Sequence, residues 1–177
     1  MENNEKNLAE RVKLRPVEMP ADEEFLIELY YTTRDDIQEA PLEEDEKRAL
    51  SLMQYQLQRQ HYLNEFPDTD HDMILLDGKP VGRLWIARYD DEIIGVDLAI
   101  MPEYRNIKIG TFLLENLFDE AQRTNRIFNF HVLKTNVKAM RLYERLNCKF
   151  TGETFSHFKM QWQGRENKSK KTKNRKP

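Results

Sequence analysis

"MPEYRNIKIGTFLLENLF", residues 101–118, is where the chain changes period. Before it lies "IIGVDLAI" (93–100), an apolar run of strand length. After it, Phe112, Leu113, Leu117 and Ala121 recur at helical spacing, predicting a helix over 109–125. Only residues 102–109 separate the two, and they include Pro102, Arg105 and Lys108. A strand thus hands over to a helix through a short charged turn.

That turn has two physical readings. A helix that opens Ile109, Gly110, Thr111 exposes backbone N–H groups with no intrahelical acceptor. Gly110 carries no Cβ to hold a ligand away from the backbone. Arg105, Lys108 and the helix dipole add positive charge at the same point, which suits a pyrophosphate. The competing reading is that Gly110 relieves crowding between helix and sheet. The Gly-x-x-x-x-Gly-Lys-Ser/Thr order of a Walker loop is missing, and so is Gly-x-Gly-x-x-Gly.

Outward from the turn, "VKLRPV" (12–17) reads as a first strand, and Asp22 is placed to cap a helix over "DEEFLIELYYTTR". "DDIQEAP" reads as a loop. A long helix is predicted from Glu43 to Glu65, with Ala49, Leu50, Met53 and Leu57 on one face. "MILL" and "VGRLWIARY" flank the hairpin signal "DGKP", and the run at 93–101 completes a meander. "IFNFHVL" (127–133) is a strand, "TNVKAMRLYERLN" (135–147) an amphipathic helix, and "CKFTGE" and "HFKMQWQ" a closing pair of strands. This order predicts a mixed α/β (α+β) sheet covered by helices. A right-handed crossover makes the strands at 93–101 and 127–133 parallel.

The 177 residues, 39% apolar and 33% charged, fit a folded domain with a wet surface. The expected division is a flexible N-terminus (1–11), a single domain (12–163) and a basic disordered tail (164–177). Residues 165–177 carry seven Lys or Arg and one Glu, so the net −3 divides into an acidic body near −9 and a tail of +6. No apolar run is long enough to span a membrane, and the lone Cys148 cannot form an internal disulfide. A cytoplasmic location is expected. His61 and His71 have no metal-ligand spacing, so no metal is expected. Cys148 has no companion base and reads as a buried apolar residue.

The turn also carries a resemblance. "DLAIMPEYRNIKIGTFLLENLFDEA" resembles the acyl-CoA-binding motif of the GCN5-related N-acetyltransferase (GNAT) superfamily, Gln/Arg-x-x-Gly-x-Gly/Ala. Arg105 takes the first place, Gly110 the last, and Lys108 stands where the first glycine is expected. "NVKAMRLYERLNCKF" is similar to the second signature of that family, Asn-x-x-Ala-x-x-Leu-Tyr-x-x-x-Gly-Phe. Asn136, Ala139, Leu142 and Tyr143 match, and Asn147 and Cys148 replace Gly-Phe. The resemblance implies a GNAT-like fold, a mostly antiparallel sheet with a parallel splayed pair and flanking helices. It implies acetyl-CoA as cosubstrate in the splay, with an amine as the second partner. Leu98, Ala99, Ile100 and Met101 would line the pantetheine arm. Arg105, Asn106, Ile107, Lys108, Ile109, Gly110 and Thr111 would wrap the pyrophosphate, with Asn136 nearby as cofactor contact or helix cap. A lysine at 108 is expected to need ordinary dihedrals.

The implied reaction is direct acetyl transfer to a primary amine in a ternary complex. The amine must lose a proton, and the leaving thiolate must gain one. Within the resemblance Tyr143 is the general acid. Asp97, mid-strand in an apolar run, is the candidate base, with binding of a positive substrate or pairing with Arg83 or Arg88 as alternatives. Glu92 and His131 are further candidates. The acidic segment 30–46 suits a cationic small amine or a peptide amine. The other readings are a silent acyl-CoA sensor and an RNA-associated protein acting through its tail. A homodimer stays open.

Overall fold

The computed structural model describes residues 8–164. The elements run β1 (Val12–Pro16), α1 (Glu23–Tyr31), α2 (Asp35–Gln38), α3 (Glu44–Glu65), β2 (Thr69–Leu76), β3 (Lys79–Arg88) and β4 (Glu92–Ile100). A short 3-10 turn (Pro102–Tyr104) leads to α4 (Ile109–Arg123), β5 (Ile127–Leu133), α5 (Val137–Arg145), β6 (Lys149–Glu153) and β7 (His157–Trp162). The seven strands form one sheet in the order β1-β2-β3-β4-β5-β7-β6. Every pairing is antiparallel except β4 with β5. This is the mixed sheet with one parallel pair that the element order predicts.

The two faces of the sheet hold two cores. Strand alternation sends Ile74 to one face and Met73 to the other. On the first face α4 buries Leu113, Leu114, Leu117, Phe118 and Ala121 against Ile86, Ile93, Phe128 and Phe130. Phe118 stacks on Trp162 at 4.7 Å and meets Phe128 edge-on at 5.4 Å. Each such side chain contributes about 1.5–3 kcal/mol through burial. On the second face Leu26 and Tyr30 of α1 and Tyr55 of α3 close over Met73.

The structure corrects several expectations. The basic tail and most of the N-terminal segment read as flexible (1–7 and 165–177) lie outside the described residues. Residues 8–11 are helical, and Leu8 is buried in the main core with Val12 and Leu76, so ordered chain precedes Val12. "DDIQEAP" contains α2, a single turn capped by its own backbone. Asp22 makes no side-chain cap; its carboxylate accepts from Arg15 at 2.6 and 2.7 Å and from the Glu18 amide. β2 begins at Thr69 and takes in the polar "TDHD". His71 stacks on Trp85 at 3.9 Å there, so an aromatic contact holds residues whose polarity argued against a strand.

α3 is the largest departure. It starts with a capping box between Glu43 and Glu46, as its acidic first turn suggested. Yet the predicted face is outward: Met53 is 51% and Leu57 63% exposed. The helix buries Ser51 and Tyr55 instead. Aromatic packing decides this, because Tyr55 meets Tyr30 and Tyr62 meets Trp85 edge-on at 5.3 Å. The Tyr55 hydroxyl has no hydrogen-bond partner among the described residues, and burial pushes its pKa up. An unpaired buried hydroxyl costs stability. Tyr55→Phe is therefore expected to leave the fold intact and raise its unfolding free energy by up to about 1 kcal/mol. Urea denaturation at unchanged m-value checks this, and a loss of 1 kcal/mol or more would mean the hydroxyl is satisfied.

Candidate active site

β4 and β5 pair only from Glu92 with Ile127 to Gly95 with Phe130. The next residue, Val96, is the extra residue of a β-bulge, since Ile86 pairs with Gly95 and Trp85 with Asp97. Beyond that point β5 keeps only its pairing with β7, which runs from Phe128 to Leu133, and β4 keeps only its pairing with β3. The two strands part and a cavity of about 1000 Å³ opens between them. Its walls include Asp97 and Leu98 of β4, Phe130 and His131 of β5, and Tyr143 of α5.

The bulge also fixes which backbone is open. A Cβ on Gly82 of β3 would collide with the Ala99 carbonyl, so that carbonyl faces β3. By alternation the main-chain groups of Leu98 and Ile100 face the splayed edge. Of the strand residues expected beside a pantetheine arm, these two offer backbone to it. Ala99 is buried and bonded towards β3.

At the end of β4 the turn holds two residues in the left-handed region, Asn106 (φ 64°) and Lys108 (φ 70°). Lys108 thus keeps the backbone expected of a glycine, contrary to the expectation of ordinary dihedrals. The first amide to bond back is that of Phe112, to the Lys108 carbonyl at 2.9 Å. The amides of Ile109, Gly110 and Thr111 precede it at the helix start. A Cβ on Gly110 would meet Ile100 Cδ1 at 3.6 Å and Leu98 Cδ2 at 4.0 Å, ordinary contacts. Crowding against the sheet does not demand glycine there. Ile107 is 44% exposed at the rim.

Arg105 serves the protein itself. Its Nε donates to the Ile100 carbonyl at 2.8 Å, and Nη2 to the Thr32 carbonyl and hydroxyl at 3.3 and 3.4 Å. It ties the turn to the C-terminal end of α1, where a cation suits the helix dipole. Asn136 caps α5, its side chain accepting from the Ala139 amide at 3.1 Å. Of its two readings, the structure shows the cap.

Tyr143 packs its ring on Phe130 at 4.3 Å, and burial followed by the charge of Asp97 pushes its phenol up to about 12. It therefore keeps its proton at neutral pH. Asp97 lies on the opposite sheet face from Leu98 and accepts from Arg83 Nε at 2.6 Å. Arg83 is 3% exposed and also donates to Gln58 of α3 at 2.7 Å. Arg88, the other partner considered, goes to Asp70 and Glu120. Glu92 accepts from Asn129 Nδ2 at 2.6 Å, and Gln161 holds the Asn129 carbonyl at 2.8 Å. His131 and His157 also line the cavity, and desolvation lowers the pKa of both. Cys148 is buried, with its thiol pushed up to about 12 by desolvation. Among the described residues no cluster of three His, Cys, Asp or Glu side chains is arranged to hold a metal.

Tyr30, Thr33 and Arg34 at the α1 end, within the segment 30–46 expected to suit the amine, face the cavity. Gln58, His61 and Tyr62 of α3 face it too, and sequence reasoning did not single them out. Their signal was hidden because the helix was assigned the opposite inward face. Lys108→Gly is expected to stabilise the fold by about 1 kcal/mol, because glycine adopts the left-handed conformation without the Cβ penalty. Thermal unfolding of the variant checks it; a destabilised variant would show that the lysine side chain outweighs the backbone strain.

The model of the acetyltransferase (GNAT) family matches residues 30–148. No curated protein matches the chain significantly. Among solved structures, the PaiA N-acetyltransferase of Thermoplasma acidophilum, solved with coenzyme A, superposes with a TM-score of 0.64 at 17% identity, covering 86% of this chain and 98% of that one. An acetyltransferase from Streptococcus agalactiae gives 0.61 at 14% identity over 85% and 96%. The Campylobacter jejuni N-acetyltransferase PseH with acetyl coenzyme A gives 0.55 at 15% identity over 86% and 98%. These structures share the fold. With the family match running from the end of α1 to Cys148, across the bulge, the turn and Tyr143, the chain belongs to the GNAT acetyltransferase family.

Proposed function

We propose that the protein is an acetyl-CoA-dependent N-acetyltransferase that acts on a primary amine by direct transfer in a ternary complex. The observation that carries this is the splay of β4 from β5 at Val96. It presents open backbone at Leu98 and Ile100, with Tyr143 on the cavity wall and the amides of the α4 start following the end of β4. These residues fit acetyl-CoA. Leu98 offers its strand-edge backbone to the pantetheine arm and Ile100 its amide, the Ile100 carbonyl being held by Arg105. Residues 106–111 offer backbone donors to the pyrophosphate, and Gly110 lets it approach. The neighbours solved with coenzyme A and acetyl coenzyme A support the same reading.

Bound acetyl-CoA supplies a thioester carbonyl that a neutral amine can attack. As the new C–N bond forms, the C–S bond breaks, and Tyr143 gives its phenolic proton to the leaving sulfur. Asp97, held by Arg83, orients the amine from the other sheet face. The nitrogen's proton leaves to Asp97, directly or through water, or to a neutral imidazole of His131 or His157 in the same wall. Holding both reactants in one cleft supplies much of the rate. The substrate enters between the α1 end and α3. Arg34, Arg83 and Lys159 balance the carboxylates of the lining, so the cavity is less acidic than segment 30–46 suggests. This fits a small amine or a peptide amine whose positive charge is read at the lip.

Gly110→Glu tests the cofactor reading, because the motif accepts alanine at this place whereas a glutamate adds bulk and like charge at the helix start. The variant is expected to lose acetyl-CoA binding, and a cooperative thermal unfolding transition on the same preparation shows that it is folded. Calorimetry checks the binding; unchanged affinity would remove the pyrophosphate from this helix start. Tyr143→Phe is expected to lower kcat by about 10- to 10³-fold while leaving acetyl-CoA affinity unaltered. Because its phenol is pushed up to about 12, the parent should show no loss of rate through pH 10, the ordinary value for tyrosine. Full activity of the variant, with chemistry shown to be rate-limiting, would return Tyr143 to a packing role.

A further inference from the structure

Half of the cavity lies beyond the reach of the helices. α1 and α3 close the second face of the sheet over β2 and β3. The same face continues across β5 and β7 as a polar floor, because Phe128, Phe130 and Val132 take the other side. The floor holds Asn129 and His131 of β5 and His157, Lys159 and Gln161 of β7, and Gln161 donates to Asn129 at 2.8 Å. His131 is the first residue of β5 past the splay, since Phe130 is the last to pair with β4. Lys159 stands opposite it, and cross-strand neighbours on one face lie within side-chain reach. The rings of His131 and His157 are 6.4 Å apart, and Ser156 Oγ meets His157 Nδ1 at 2.9 Å. His131, His157 and Lys159 all line the cavity.

The other charges of the lining are engaged. Arg34 goes to Asp36, Arg83 to Asp97, and Glu92 takes the Asn129 amide. Among the described residues, Glu65 at the end of α3 and Lys159 on the floor line the cavity with no ion-pair partner. The cleft thus keeps carboxylate on the helix and β4 side, at Glu65 and Asp97, and an unpaired ammonium on the β7 side. A purely cationic acceptor would be repelled by Lys159 once seated at Asp97. A molecule with an anionic group beside its amine satisfies both walls. The two imidazoles add to the anion side, because even a neutral ring donates through one nitrogen.

We propose that the acceptor is zwitterionic, a small amine that also carries a carboxylate or phosphate, and that Lys159, with His131 and His157 beside it, seats that anion. The proposal rests on the acetyl-transfer reading of the same cavity. Thiol release from acetyl-CoA is measured with L-amino acids, each against its amide, and with phosphoethanolamine against ethanolamine. The carboxylate and phosphate arms tell which anion is read. Lys159→Gln should lower the ratio of kcat/KM for the anionic member to that for its uncharged partner by about 10- to 100-fold, the worth of one charge-assisted hydrogen bond. Taking the ratio in parent and variant at one pH cancels the different basicity of the paired amines. Lys159→Glu should favour the uncharged partner. The side chain is exposed, so both variants should keep the circular dichroism spectrum of the parent. A ratio that Lys159→Gln leaves unchanged would overturn the proposal, and so would a parent that accepts only amines without an anionic group. If acetyl-CoA binds and no amine is turned over, the catalytic reading falls and binding alone judges the subsite. In that case the ring protons of His131 and His157 should shift on titration with phosphoethanolamine in the parent and not in Lys159→Glu; no shift in the parent would overturn the anion subsite.

Discussion

One inserted residue organises this protein. Val96 has no partner on β3, so β4 bends away from β5 after only four paired residues. Gly95 is the last of them, and glycine suits it because a side chain there would press on Phe128 and Phe130 at 3.0 and 3.3 Å. Without the bulge β4 and β5 would zip to their ends and the sheet would close. With it, backbone that a continuous sheet would consume is left at Leu98 and Ile100. The bulge also resets alternation, so Asp97 faces α3 while Leu98 and Ile100 face α4. The two faces that the proposed function gives to cofactor and amine are thereby the two sides of one defect.

The open edge has to be managed, because unpaired strand backbone is costly when it loses water. Arg105 takes the Ile100 carbonyl, and in the same reach the Thr32 carbonyl just past α1. Its charge, which the sequence reading gave to a pyrophosphate, joins the turn to Thr32 at the end of α1. Arg83 does the corresponding work on the other face. It is buried, and it stands only because Asp97 and Gln58 take its donors. The two arginines hold the two sides of the cleft to the sheet.

Much of this was legible in the sequence. The change of period at 101–118 located β4, the turn and α4, and the two signatures placed Tyr143 across from them. What failed did so for identifiable reasons. Strand-edge polarity hid the start of β2, where "TDHD" is held by His71 on Trp85. The bulge itself leaves no periodic trace, because Val96 is apolar and fits either register. Hydrophobic spacing misassigned α3, since its core-facing residues are tyrosines and a serine while its aliphatic stripe faces out. Lys108 broke the glycine pattern without breaking the geometry, because the turn imposes the left-handed conformation and the lysine accepts its cost.

The placement of Tyr143 follows from the same economy. Its ring is anchored on Phe130, a residue of β5 that still pairs with Gly95. The ring is therefore held beside the point where the strands begin to part. Burial keeps it protonated, and the nearby charge of Asp97 acts in the same direction. A carboxylate that both faces the amine side and raises the phenol's pKa couples the two ends of the proposed proton transfer. The bulge sets Asp97 and Leu98 on opposite faces of one sheet, and Asp97 and Tyr143 both reach the cavity that it opens.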